Sequence, residues 1–520
     1  MILIDVLTIA MTLHKKVPSS IENVGVFIAQ MRERRGLTQQ ELGEAIGTSQ
    51  SAIARIEKGE QNITSDMILK ISKALDKEIL TLSDGSINFL IKGGKQFHGT
   101  IEVNGSKNSA VAFLCASLLN KRRMVFVNMP RIEEVHRLIE VLESLGAKIK
   151  WINENELEIV PPARILLSNL NVEAARKTHS MIMLLAPLLL EYKQFTLPYP
   201  GGCKLGSRTT RPHLLALEAF GASIKETKEG YSVERGELHQ ADIVLYESSD
   251  TATEMALMVA ARIDGETLIK YASANYQVQD LCHFLSRLGV SIEGIGTTTL
   301  RVRGIKEIHA VVREYVGEDP IEAMMFLALA IVTQSSITIQ RCPIEFLELE
   351  LLKLKNMGFR YDIKKRYVSE NGHMNLVDIL TYPSELVALQ EKIECRPYPG
   401  LNIDNLPFFV PIAAQAIGQT LIHDWVYENR AIYYMELSRL GANMILADPH
   451  RVYIQGPTPF TPAELVCPPA LRPAVILLIA MFAAPGTSIL RNVYSINRGY
   501  EDLYLRLQKI GADIRVMRGI

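Results

Sequence analysis

The sequence predicts a mixed α/β molecule built from one unit copied six times, preceded by a small all-α module. Three observations carry that expectation. First, a short phrase recurs: a leucine-rich helical run, a glycine, then a small residue and a β-rich run. It reads LESLGAKI, LEAFGASI, LSRLGVSI, LKNMGFRY, LSRLGANM and LQKIGADI, around Gly146, Gly221, Gly289, Gly358, Gly441 and Gly511. The gaps between these glycines are 75, 68, 69, 83 and 70 residues. So regular a period marks a repeated folding unit. Second, each phrase has the form of a helix C-terminus, with apolar residues at helical spacing and a glycine at the left-handed cap. Third, residues 22–80 lack the phrase and run instead as several short helical stretches.

Bulk properties narrow the function. At 520 residues the chain exceeds one core, and about three domains are expected. Lys and Arg number 56 against 57 Asp and Glu, a formal charge of −1. No global field therefore draws the chain to nucleic acid or membrane, and any such contact needs a local patch. The six cysteines are scattered without a C-x-x-C pair. That argues against a disulfide framework or a zinc site and for a reducing, cytoplasmic setting. The opening MILIDVLTIAMTL is interrupted by Asp5 and lacks a basic start and a cleavage site, so residues 1–20 read as a tail and not a signal peptide. No run reaches the roughly 18 apolar residues of a membrane span. The nearest, 471–486, contains Arg472 and stops at Pro485, and reads as a buried helix.

The first module is expected over 21–80, with a linker at 81–87. Thr38 precedes QQEL, with Glu41 three residues on, as in a capping box. Gly47 ends that helix and Thr48-Ser49 begins the next, which is the helix-turn-helix pattern. Ser49, Gln50, Ser51 and Arg55 fall on or near a polar face, while Ile53 and Ile56 point inward. Gln and Arg are the side chains that read adenine and guanine edges in the major groove. A helical bundle serving dimerisation alone is the competing reading. The string RERRGLTQQELGEAIGTSQSAIARIEKGE closely resembles the Cro/C1-type (XRE) helix-turn-helix family. With ten basic against nine acidic residues between 14 and 80, one copy should bind DNA weakly, so a dimer on two half-sites is expected.

Four constellations follow in the repeats. Lys107-Asn108 stands at a helix start, where free N–H groups and a cation favour an anion, although surface lysines there are common. Cys203 lies on the loop PYPGGCKLGSRTTRPH with Lys204 and Arg208 close after it, and nearby cations lower a thiol's pKa. Asp319 and Asp404 sit at loop–helix joints, where a carboxylate can take a proton or simply cap a helix; on the residues alone the cap prevails. Arg430, Arg472 and Arg498 are of the type that grips carboxylates and phosphates bidentately.

Taken in order, G-S-K-N, P-G-G-C-x-x-G-x-R, T-A-T-E (251–254), D-x-I-E-A (319–323), P-G-x-x-x-D (399–404), E-N-R (428–430) and R-G-Y-E (498–501) resemble the enolpyruvyl transferase family over roughly 88–520. Its members acting on UDP-N-acetylglucosamine fit best; the shikimate-pathway branch lacks the Gly-Gly-Cys loop. The resemblance implies an α+β fold, a two-lobed inside-out α/β barrel of six βαβαββ-type repeats. One lobe would take about 107–305, the other 88–106 plus about 306–520. It implies transfer of the enolpyruvyl group of phosphoenolpyruvate to the 3-hydroxyl of UDP-N-acetylglucosamine, in peptidoglycan precursor synthesis, with no metal and no cofactor. By position, Lys107, Arg208 and Arg430 would hold phosphoenolpyruvate and Cys203 would donate the proton. Asp319 would act on the sugar hydroxyl, with Asp404 assisting. Asn108 would touch the sugar and Thr253 the substrate, while Arg208, Thr209, Thr210, Arg211 and His213 would line the nucleotide.

The pattern also departs from the family. Thr178-His179-Ser180-Met181 puts His179 where a phosphate-side arginine is usual. Arg211 stands where an acid is expected, and a Glu-Pro-Glu string has become Asn275-Tyr276-Gln277. Pro320 and Met324-Met325 also depart from the usual residues. Two functions follow: an active transferase with a DNA-binding appendage, or a transcription regulator whose transferase-like part senses a sugar nucleotide.

Overall fold

The computed structural model describes residues 37–58, 87–201 and 209–518, with positions 28, 29, 32, 67, 70, 71 and 74. The tail 1–20, the linker up to 86, and the expected site residues Cys203 and Arg208 lie outside the described residues. The chain divides into two compact units, one up to Ser86 and one over Ile87–Arg518.

In the first unit, helices α1 (Gln39–Ile46) and α2 (Gln50–Glu57) are joined by Gly47, whose φ of 74° needs the left-handed region. Both halves of the capping box form: Thr38 Oγ1 accepts from the Glu41 amide, and the Glu41 carboxylate accepts from the Thr38 amide at 2.7 Å. Ser49 caps α2 through the Ala52 amide. The turn is tight enough that a Cβ on Gly43 would lie 2.9 Å from the Thr48 carbonyl oxygen. Ile28, Leu42, Ile46, Ile53, Ile56 and Ile71 form the core. At its edge the Arg32 guanidinium forks onto Glu57 at 2.6 and 3.1 Å, and Gln39 donates to the same carboxylate.

The second unit has six sheets. All six phrase glycines adopt φ between 95° and 104°, where a side chain is disfavoured. The first five each release the chain into a hairpin, such as Lys148–Trp151 with Glu156–Val160. The sixth releases Asp513–Arg518, whose antiparallel partner is Ile87–Gly93 at the other end of the unit. The last repeat is therefore closed by the unit's own first strand.

The sheets cover helices that are apolar all round, as buried helices are. Helix α3 (Lys107–Ala116) is buried from Ser109 onward. Helix α4 (Glu133–Ser144) is amphipathic. Helix α5 (Asp250–Ala260) is buried from Ala252, α6 (Tyr276–Arg287) packs beside α3, and α7 (Pro320–Val332) is buried at all thirteen positions. Helix α8 (Leu471–Ala483) is the apolar segment noted in the sequence, and it too is buried. Among the described residues, no helix is long and apolar enough to cross a membrane.

Two cores result, one from Ala110 to Val316, the other from Phe89–Val103 and Ile321–Ile514 with Tyr276. Val312–Tyr315 runs parallel to Met124–Val127 in a first-lobe sheet. The second crossing between lobes thus lies near 316–319 and not at about 305. The two crossing strands lie side by side: Ser106 N donates to Gly317 O at 2.7 Å, and Asp319 N to Asn104 O at 2.9 Å.

Candidate active site

A cavity of about 240 Å³ opens between the lobes where helix N-termini converge. From the first lobe, Ser106 caps α3, which places Lys107 and Asn108 at the cavity edge. Asn108 Nδ2 is tied to the Tyr276 hydroxyl at 3.0 Å. Glu134, in the first turn of α4, faces Lys107 with Nζ 3.5 Å from its carboxylate. Thr178 and Ser180 donate their hydroxyls to the same carboxylate at 2.9 and 2.6 Å. Arg498 of the second lobe stands 3.9 Å from it. Burial opposes ionisation of Glu134, but Lys107, Arg498 and the two hydroxyls outweigh it and hold the carboxyl down to about 2.

The second lobe supplies Asp404, Arg430 and Arg472. Arg430 is 1% exposed and locked: Nε and one terminal nitrogen fork onto Asp424 at 2.6 and 2.9 Å, and that nitrogen also reaches the Ile403 carbonyl. Tyr434 donates to Asp424, and the Tyr427 ring lies 4.5 Å below the guanidinium. Its other terminal nitrogen is 3.8 Å from Asp404. Arg472 donates to Asp404 at 3.3 Å and to the Tyr500 hydroxyl at 2.6 Å. Burial pushes the Asp404 carboxyl up, yet Arg472, Arg430 and Lys107 bring it below its ordinary value. A partly exposed carboxylate among fixed cations is thus ionised and aimed at the cavity, beside a basic surface able to neutralise a phosphate.

The expected site residues divide. Lys107, Asn108, His179, His213, Asp404 and Arg430 all line the cavity. Asp319 does not line it. Its Oδ1 accepts from the Ile321 and Glu322 amides at 2.8 and 3.4 Å, so it caps α7 ahead of Pro320. Burial, with Glu322 adding to it against the pull of Arg472, raises its carboxyl to about 6. Thr253 is also outside the cavity: its hydroxyl donates to the Ser249 carbonyl and accepts from the Ser273 amide, holding α5 against the loop before α6. Thr210 pairs with Glu226 and Arg211 with Glu218, and with Thr209 they lie away from the cavity. Their side chains start a helix whose inward neighbour is His213. Thr209, Thr210, Arg211 and Thr253, expected to touch substrate, are thus not among the described residues that line this cavity.

Residues that the expectation omitted include Glu134, Asp250, Glu254 and Gln277, all lining the cavity. The T-A-T-E string contained a signal for Glu254; nothing in the sequence singled out Glu134. Arg472 and Arg498 were visible as candidate cations. The five described cysteines are free and buried, and burial raises each thiol, which makes them inert. In the first unit, Ser49, Gln50, Ser51 and Arg55 are exposed on α2. Gln50 donates to Gln39 at 2.6 Å, and the Ser49 and Ser51 hydroxyls lie 3.0 Å apart.

Comparison with known proteins agrees with this geometry. Residues 91–507 match the family model of EPSP synthase (3-phosphoshikimate 1-carboxyvinyltransferase), and 28–82 match a helix-turn-helix model. A UDP-N-acetylglucosamine 1-carboxyvinyltransferase of Treponema denticola is 33% identical, covering 82% of this chain and 99% of the relative. One from Bradyrhizobium diazoefficiens is also 33% identical, covering 82% and 98%. In fold, the enolpyruvyl transferase NikO from Streptomyces tendae superimposes with a TM-score of 0.73 at 24% identity, over 84% of this chain and all of that one. An EPSP synthase from Acinetobacter baumannii gives 0.66 at 19% identity, over 83% of this chain and all of that one. The match over most of its length, and relatives a third identical, show that the chain belongs to the EPSP synthase family of enolpyruvyl (1-carboxyvinyl) transferases, joined here to a helix-turn-helix domain.

Proposed function

We propose that the chain transfers the enolpyruvyl group of phosphoenolpyruvate to the 3-hydroxyl of UDP-N-acetylglucosamine, and that its helix-turn-helix unit binds DNA as a dimer. One observation carries the first part: Lys107, Arg430, Arg472 and Arg498 converge from both lobes on a cavity that holds the ionised Asp404.

Phosphoenolpyruvate carries a carboxylate and a phosphate, and the cations offset both. The sugar oxygen bonds to C2 while its proton passes to Asp404, and C3 takes a proton from the Cys203 thiol. This tetrahedral adduct collapses as C3 returns the proton and the C2–O bond to phosphate breaks. The double bond re-forms, and phosphate leaves with the proton that Asp404 received. Fixed cations around the departing oxyanion need no reorganisation, which is the main electrostatic gain. Asp404 is a better candidate than Asp319 for the hydroxyl because it faces the cavity, whereas Asp319 is spent on a helix cap. Arg208 would extend the phosphate-binding surface.

The test is phosphate release by the full chain from phosphoenolpyruvate plus UDP-N-acetylglucosamine. Cys203→Ala and Lys107→Ala should each lower the rate about 100-fold or more, the scale of losing a proton donor or a charge stabiliser. Release no faster than in those variants removes the transferase reading. The pairing of Lys107 and Arg498 with Glu134 favours a second reading, a sugar-nucleotide sensor that regulates transcription, since partnered cations hold phosphate less strongly. For the DNA-binding unit, the chain should retard a DNA fragment bearing two half-sites, and Gln50→Ala with Arg55→Ala should weaken it by about 1–3 kcal/mol per lost base contact. Unchanged retardation by that double variant would count against α2 as the reading helix.

A further inference from the structure

Two oxygen atoms at the cavity have no donor among the described residues. They are Glu254 Oε1 and Gln277 Oε1, on side chains only 3% and 6% exposed. Both residues line the cavity. Buried acceptors left unmatched are uncommon in native proteins and call for a partner.

Their surroundings restrict what that partner can be. Gln277 Nε2 donates to Asp250 Oδ2 at 2.8 Å, so the amide is oriented and its oxygen is the end left over. Asp250 is already held by Asn275 Nδ2 at 3.0 Å and by the Ser273 hydroxyl. Glu254 lies one helical turn after Asp250, on the same face of α5. A phosphate here would meet the acidic side chains of Asp250 and Glu254. The wall therefore disfavours anions, in contrast to the arginine side of the cavity. The family's usual acids at 275 and 277 are amides in this chain, and both amides now face a carboxylate contributed by the neighbouring helix. Burial and the charge of Asp250 push the Glu254 carboxyl well above its usual range. In its neutral form it accepts through one oxygen and donates through the other, which matches a hydroxyl.

We propose that Glu254 and Gln277 form a subsite that reads the hydroxyl and N–H donors of the acceptor's sugar ring and so set acceptor specificity. The inference rests on the reading of the acceptor as a sugar nucleotide, and it places the uncharged ring against the first-lobe wall.

The experiment is calorimetric titration of the full chain with UDP-N-acetylglucosamine and, separately, with UDP, which lacks the sugar. The unaltered chain should bind the first at least about 10-fold more tightly. Glu254→Leu and Gln277→Leu should each cut that preference about 10-fold, with UDP affinity held within about twofold, because a site built around polar partners discriminates by leaving them unpaired. Glu254→Leu should also raise the melting temperature by a few degrees, since it removes an unmatched buried carboxyl. Glu254→Gln, which keeps the shape, should lower the preference less and serves if the leucine variant does not fold. An unchanged preference in both leucine variants overturns the subsite, as does an equal loss for the two nucleotides. Altered preference without any phosphate release leaves the subsite standing and removes the transferase reading. A chain that binds neither nucleotide overturns both.

Discussion

Asp319 and Asp404 show how placement separates two identical side chains. Both are carboxyls under the influence of Arg472, but burial raises Asp319 to about 6 while three cations lower the partly exposed Asp404. Asp404→Asn should reduce turnover about 100-fold or more, because among the described residues no other carboxylate contacted by both Arg430 and Arg472 faces the cavity. Asp319→Asn should change turnover less than about 10-fold, since asparagine also caps a helix. Its main effect belongs to stability. A carboxyl raised from 3.8 to about 6 favours the folded state in its protonated form. That contribution is present below pH 4 and is lost as pH rises through 6, where the buried charge costs about 2–3 kcal/mol at about 1.4 kcal/mol per unit. Asp319→Asn should therefore raise the melting temperature at pH 8 and leave it unchanged at pH 4. Denaturation at the two pH values measures this, and a gain of equal size at both contradicts the argument.

At the scale of elements, the six glycines stop a helix and start a strand in each repeat, and they differ in what surrounds them. A Cβ on Gly511 would meet nothing within 4 Å, whereas on Gly358 it would lie 2.7 Å from the Glu385 carbonyl oxygen. Gly511→Ala should thus cost about 1–2 kcal/mol, the conformational penalty alone. Gly358→Ala should cost more, because backbone must also move. Equal losses in denaturant unfolding would mean that φ alone sets the cost. These joints, the capping box at Thr38–Glu41 and the buried helix at 471–483 were legible because each is a local pattern of a few residues. The lobe boundary was not, because Val312–Tyr315 owes its place to a partner strand nearly 190 residues earlier. Nor was the division of labour between Asp319 and Asp404, since a cap and a base look alike in one dimension. Glu134 was hidden for a related reason: an acid in the first turn of an amphipathic helix is favoured there by the helix dipole whatever else it does. Only the fold brings Lys107, Thr178, Ser180 and Arg498 around it.

At the scale of the molecule, the charges proposed to hold phosphate are shared between lobes that are linked, among the described residues, by two adjacent segments. Lys107 and Glu134 belong to the first lobe; Asp404, Arg430, Arg472 and Arg498 belong to the second. Neither lobe alone surrounds an anion, so the proposed phosphoenolpyruvate site is complete only when the lobes come together. A ligand shifts such an equilibrium by its differential affinity for the closed form. The sugar nucleotide should begin closure, and phosphoenolpyruvate should complete it by bridging Lys107 to Arg430. The radius of gyration from small-angle scattering should therefore fall most when both are present, by more than the sum of the separate changes. Arg430→Ala should retain the response to the nucleotide and lose the further response to phosphoenolpyruvate. Because the bridge is electrostatic but largely buried, added salt should weaken the second step only modestly compared with a surface ion pair. Full compaction of Arg430→Ala by the two ligands would show that closure does not depend on cations divided across the cleft.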